Sequence, residues 1–136
     1  MSGTYYSENL ILDQLYGATS IVATIPSTWY IALSTSTPNE GGTGVTEPSG
    51  GAYARIDVAN NKVNFSTAAT GAITNDVAIT FVESTATWGT ITHVCFYDAL
   101  TSGNLWFWEA LGSARAVAAN TTVYFAIGSL TISNTN

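Results

Sequence analysis

Basic residues are almost missing from this sequence. Only Arg55, Lys62 and Arg115 are positive, against nine acidic residues, for a net charge of −6. Nucleic-acid binding requires several phosphate contacts from Lys or Arg, and three scattered cations exclude it. Anionic membrane surfaces are excluded on the same ground. Cysteine is nearly absent as well. The single Cys95 rules out an internal disulfide and any multi-cysteine metal site, and its position in a predicted strand suits a small buried apolar residue. One histidine, His93, leaves no His-based metal spacing, and neither a P-loop nor a nucleophile elbow occurs. No stretch reaches the roughly 18 apolar residues of a membrane span. The N-terminal residues lack the basic and apolar segments of a signal peptide, so synthesis in the cytoplasm is expected.

Charge of either sign is scarce. Charged residues make up 9% of the chain and hydrophobic ones 46%, where about a quarter charged is usual. Such a surface is poorly suited to a free monomer at high concentration and suits a protein held in an assembly. At 136 residues the chain is one domain, able to bury roughly 68% of its unfolded surface without metal or disulfide support.

What the sequence does hold is strand pattern. The run Leu-Trp-Phe-Trp-Glu-Ala at 105–110 is rich in strand formers. Strict alternation would put Leu105 and Phe107 on one face, Trp106 and Trp108 on the other. Both faces are then apolar and both need cover. Residues 28–34 alternate, with Trp29, Ile31 and Leu33 together. Residues 53–58 set Ala54, Ile56 and Val58 against Tyr53, Arg55 and Asp57. Further strands are expected at 62–65, 77–81, 91–97, 114–117, 121–127 and 130–132, with an Asn60-Asn61 turn between 53–58 and 62–65. Between them, 35–52 forms a long loop holding Pro38, Pro48 and five glycines; loops of that length are uncommon unless functional. About eight short strands with turn signals between them predict an all-β fold, an antiparallel β-sandwich. The absence of an internal repeat argues against a fibre shaft.

One short helix is expected, at 8–16. Ser7 would cap it, Glu8 suits its first turn and Gly17 its end. Leu10, Ile11 and Leu15 form an apolar stripe. A helix of about ten residues is not stable alone and would dock, the Trp106/Trp108 face being a candidate surface. Residues 1–6 then read as an N-terminal arm ahead of a single domain spanning 7–136. The arm carries Tyr5 and Tyr6, suited to anchoring on a neighbouring protein. Tyr5, Tyr6, Trp106 and Trp108 are the candidate interface residues. Tryptophans can also stack on sugar rings, which keeps a glycan platform open.

No catalytic constellation is found: His93 has no partner set, and Glu109 is the only carboxylate in the tryptophan strand. The chain is expected to be no enzyme, with no catalytic, metal or cofactor residues.

Four stretches carry a resemblance. They are Ser7-Glu8-Asn9-Leu10-Ile11-Leu12-Asp13, Trp29-Tyr30-Ile31-Ala32-Leu33-Ser34-Thr35, Thr46-Glu47-Pro48-Ser49-Gly50-Gly51-Ala52-Tyr53-Ala54-Arg55, and Trp88-Gly89-Thr90-Ile91-Thr92-His93 leading into Phe96-Tyr97-Asp98-Ala99. With Val123-Tyr124-Phe125-Ala126-Ile127-Gly128, they resemble a family of small tailed-bacteriophage structural proteins, labelled phage tail fibre protein or head decoration protein. Cys95 and the Leu-Trp-Phe-Trp run depart from the smaller apolar residues usual there. The resemblance implies a virion protein without catalytic residues. The favoured expectation is a capsid decoration (cement) protein, bound to the major capsid protein between capsomers and self-associated as a homotrimer, since closed symmetry removes exposed edges. The alternative is a tail fibre or tail-associated adsorption protein binding a host surface glycan.

Overall fold

The computed structural model describes residues 1–17 and 25–133. In chain order these form β1 (Ser2–Gly3), α1 (Tyr5–Tyr16), β2 (Thr28–Ser34), β3 (Ile56–Ala59), β4 (Ala72–Thr74), β5 (Ile79–Thr80), β6 (Gly89–Tyr97), β7 (Leu105–Val117), β8 (Tyr124–Phe125) and β9 (Thr131–Ser133). Five strands make one antiparallel sheet in the order β1-β7-β6-β2-β3. Two ribbons, β4-β9 and β5-β8, complete the β-structure. The fold is all-β and sandwich-like, with a short N-terminal helix.

The main core lies on one face of the five-stranded sheet. Trp29, Ile31 and Leu33 enter it from β2, and Ile91, Val94 and Phe96 from β6. They meet Phe65, Ile79, Phe81, Trp88 and Leu130 from the ribbons and their connections. The alternation read in 28–34 is therefore real, and Ile31 and Leu33 are fully buried.

The tryptophan strand departs from strict alternation. Phe96 pairs with Phe107, but the next residue of β6, Tyr97, pairs with Leu105. Trp106 is thus an extra residue in β7, a β-bulge. The bulge shifts the side-chain register by one. Leu105 and Trp108 share the second face with Cys95, Tyr97 and Ala32, while Trp106 and Phe107 both belong to the main core. The pairing expected from period-two alternation, Leu105 with Phe107 and Trp106 with Trp108, is corrected accordingly. A second irregularity lies further along. Ile91 pairs with Arg115 and His93 with Ala110, so Leu111 to Ala114 span a gap that Thr92 alone spans on β6. The strand expected at 114–117 is the far end of β7, reached across this bow.

The N-terminus is also corrected. The helix starts at Tyr5, three residues before the expected Glu8, and its N-cap is Thr4 rather than Ser7. Thr4 and Ser7 form a capping box: the Thr4 hydroxyl accepts the Ser7 N–H and the Ser7 hydroxyl accepts the Thr4 N–H. Both side chains are fully buried, because both also serve the bulge. Thr4 Oγ1 donates to the Leu105 carbonyl at 2.6 Å, and Ser7 Oγ donates to the Trp106 carbonyl at 2.7 Å. The Thr4 N–H reaches the same Trp106 carbonyl at 3.0 Å. A bulge disrupts its ladder locally, and a buried orphan carbonyl is costly; the helix cap supplies the partners. Residues 1–6 are therefore no free arm. Ser2 and Gly3 pair with Trp108 and Phe107 within the same chain.

The helix docks by its first turns only. Tyr6 meets Trp106 edge-on at 5.3 Å, and Leu10 packs on the core. Leu12, Leu15 and Tyr16 stay exposed, so the stripe expected to bury along the whole helix buries only at its start.

Removing residues 1–6 is expected to destabilise the domain, because it takes the Thr4 hydroxyl from the buried Leu105 carbonyl and the Thr4 N–H from the Trp106 carbonyl, at about 1–3 kcal/mol per buried orphan group. Trp106→Ala is expected to cost about 3–5 kcal/mol. Urea unfolding of the two variants measures both losses; a truncated chain as stable as the full one would contradict the capping account.

Candidate functional site

The four interface candidates do not form one patch. Trp106 is only 7% exposed. Its ring lies edge-on to Trp29 at 5.3 Å and to Tyr6 at 5.3 Å, and its Nε1 donates to Asp98 Oδ2 at 3.1 Å. Burial works against the Asp98 charge, but hydrogen bonds from Asn104 and Trp106 outweigh it and hold the carboxyl below its ordinary range. Trp108 lies on the opposite face, half-buried against Cys95 and edge-on to His93 at 5.8 Å. Its buried Nε1 meets no hydrogen-bond acceptor among the described residues. Tyr5 is 55% exposed and Tyr6 39%. The Tyr5 N–H donates to the Glu40 carbonyl at 2.8 Å, and a side-chain hydrogen bond to Glu40 raises its phenol pKa. Structure thus joins Tyr6 to Trp106 and Tyr5 to the long loop, and leaves Trp108 apart.

Three of the four tryptophans are buried. Trp29 and Trp88 are buried with Trp106 in the main core. Trp88 Nε1 donates to the Gly51 carbonyl at 2.8 Å. That contact needs glycine: Gly51 has φ +59, and a Cβ there would sit 3.0 Å from Trp88 Nε1. Trp88 is thus spent on holding a loop of the chain to its core.

The second face of the sheet is covered by loop 35–52 and the turn after β6, through residues that sequence reasoning did not bring together. Arg55 is the centre. Its guanidinium grips Glu47 with two bonds, Nε to Oε1 at 3.0 Å and Nη2 to Oε2 at 2.7 Å. Its Nη1 donates to the carbonyls of Ala99 and Ser102 at 2.7 and 2.8 Å. Its Cζ stands 3.7 Å above the Tyr97 ring, a cation–π contact. Burial disfavours the Arg55 charge, yet the Glu47 carboxylate more than offsets this and raises its pKa. Tyr53 completes the cluster, donating to Glu47 Oε1 at 2.8 Å and accepting the Leu33 N–H at 3.0 Å. The readable signal was a Glu and an Arg eight residues apart in a chain with so few charges.

This cluster has the chemistry of a clasp rather than a catalyst. Every polar group in it is engaged by another. His93 is buried, its Nδ1 lies 2.7 Å from Thr92 Oγ1, and burial lowers its pKa. Burial pushes the Cys95 thiol up to about 12. Among the described residues no three His, Cys, Asp or Glu side chains are placed to hold a metal. An open groove of about 530 Å³ runs beside the bowed part of β7, lined by Leu111, Arg115, Val117, Val123 and Phe125 among others.

A family model described as podophage GP4 fiber I protein gp80 matches residues 2–133. The matched span runs from β1 to β9. No curated protein matches the chain.

Glu47→Gln is expected to lower stability by about 2 kcal/mol, below the 3–5 of a fully buried pair because Glu47 keeps some solvent contact. Urea unfolding measures this. A pH dependence follows from Cys95 and Tyr97, both held near about 12 by burial. The unfolded chain releases these protons near about 8.5 and 10. The folded state is the one that keeps them, so the stability they contribute is full below about pH 8.5 and is lost as pH rises toward about 12. The urea midpoint should fall across that window, and a thiol reagent should label Cys95 at pH 8 only after denaturation.

Proposed function

The chain belongs to the podophage GP4 fiber I protein family, and from that membership we propose that it is a structural component of the phage tail fibre apparatus. It would act by packing against other virion proteins and not by catalysis. The carrying observation is a family match that spans the whole domain. The geometry supports a protein-packing role over an adsorption role. Three of the four tryptophans that might have stacked on a host glycan are internal. The exposed large apolar residues, Leu12, Leu15 and Tyr16 of α1 with Tyr124 and Ile127 near β8, offer protein contacts instead.

The capsid decoration reading, a homotrimer seated on the major capsid protein, is the rival. It uses the same compact domain and the same scarcity of charge. The family's fibre description weighs against it. The two readings differ in copy number, because a shell protein recurs at every lattice position and a fibre component is limited by the number of fibres.

Quantitative mass spectrometry of purified virions, normalised to the major capsid protein, is the test. A stoichiometry of a few tens of copies or fewer, with antibody labelling at the tail, is the expected outcome. Copies in the hundreds with label over the shell would replace the fibre reading with the decoration reading.

A further inference from the structure

Both faces of the sheet are covered from within the chain around Leu105 to Trp108, but the outer edge of β7 beyond that stretch is not. β1 lines the outer edge of β7 only at Phe107 and Trp108. Beyond it, β7 continues to Val117 with no strand on its outer side among the described residues. Within that stretch Leu111 to Ala114 have no ladder partner on β6 either. Exposed edges are ordinarily blunted by Lys, Pro or cover. This one has neither Lys nor Pro: it reads Glu109-Ala110-Leu111-Gly112-Ser113-Ala114-Arg115.

That heptad is self-complementary about its middle residue. Antiparallel pairing with an identical strand, centred on Gly112, sets Glu109 opposite Arg115 at both ends. It sets Ala110 opposite Ala114 and Leu111 opposite Ser113. Glu109 pairs with Val94 and Arg115 with Ile91 across β6, and both of those residues point into the main core. Glu109 and Arg115 are therefore on one face of the sheet, as an ion pair between strands requires. The other face carries Ala110, Gly112 and Ala114, small enough for close approach. Among the described residues, neither the Glu109 nor the Arg115 side chain has a hydrogen bond or ion pair within its own chain. Arg115 is thereby the one cation left over, since Arg55 is held by Glu47 and Lys62 by the Ser66 carbonyl. β1 sets the limit of the contact: it confines pairing to the bowed segment, with the two charges meeting through their side chains at its ends.

We propose that the free edge of β7 is an isologous docking surface for a second copy of this chain, paired antiparallel about a two-fold axis at Gly112 with two reciprocal Glu109–Arg115 ion pairs. The pairing is independent of where in the virion the protein sits, since it uses only the chain's own edge.

Charge exchange on the purified full chain tests this by sedimentation equilibrium, with near-ultraviolet circular dichroism as the check on fold. The wild type is expected to associate as a dimer. Arg115→Glu and Glu109→Arg should each weaken association by about tenfold or more, because each creates two like-charge contacts. The double variant, Glu109→Arg with Arg115→Glu, restores opposite charges and should regain the wild-type association to within a few fold. Neither residue is part of the core, and all three variants should keep the wild-type spectrum. A wild type that stays monomeric at high micromolar concentration would overturn the proposal. So would a double variant that associates no better than the singles, or singles that associate as the wild type does.

Discussion

Trp106 occupies a place in β7 that has no counterpart on β6, and the rest of the molecule is arranged around that one extra residue. A bulge reverses which face the following side chains take. Here it brings Trp106 and Phe107 into the same core and sends Trp108 to the other side. It also leaves the carbonyls of Leu105 and Trp106 in need of donors in a buried place. The Thr4 and Ser7 hydroxyls provide them while capping α1. The helix start, the β1 pairing and the seat of Tyr6 over Trp106 follow from that arrangement. Asp98 binds the indole N–H from the turn between β6 and β7, so the turn that delivers the chain into β7 also fixes the ring that defines the bulge.

The opposite face depends on a different interaction, and the two do not share residues. Loop 35–52 is long and rich in glycine, and closing it costs conformational entropy. A bidentate ion pair helps to hold it, Arg55 with Glu47, laid over Tyr97 and tied to the Ala99 and Ser102 carbonyls, beside the bonds from Trp88 to Gly51 and from Tyr5 to Glu40 and the packing of Val45. A planar guanidinium suits this, since it can stack on a ring and donate along its edge at once. Lysine at 55 could do neither job fully. In a chain of such low charge, an ion pair of this quality is a local device with a specific task, that of keeping a loop on a sheet face that would otherwise be wet.

How much of this was legible in the sequence follows from which signals are periodic. Strands β2 and β6 were readable because Trp29, Ile31 and Leu33, and the run from Ile91 to Tyr97, alternate or cluster over enough residues to outweigh local accident. The all-β class followed from the spacing of such runs. The faces of 105–108 were not readable, because period-two reasoning assumes an unbroken ladder and nothing in one sequence marks Trp106 as the unpaired residue. The N-terminus held a usable sign: Thr4 and Ser7 stand three apart, the spacing of a capping box. Ser7 alone was read as the cap, and the further partners of both hydroxyls lie about a hundred residues away in β7. The loop was legible as a loop. Its attachment was not, since contacts from Arg55 to Ala99 and Ser102 leave no periodic trace.

A strand apolar on both faces suggests a surface waiting for a neighbour, and here that inference is only half right. Both faces of β7 from Leu105 to Trp108 are already covered by the same chain, one by the main core and α1, the other by the cluster that includes Val45 of loop 35–52, whereas most of Ala110 to Ala116 is exposed. Faces that a chain covers for itself cannot also drive assembly. What self-coverage leaves behind includes the outer half of α1, Tyr124 and Ile127, and the unpaired edge of β7. An edge and a face make different kinds of contact. A face binds by area and tolerates sliding, whereas an edge binds through backbone hydrogen bonds and specifies register. A virion component has to repeat one geometry in every copy. The bow at Leu111 to Ala114 weakens pairing inside the domain, yet it is the part of the sheet that sets backbone and a matched pair of charges outside it.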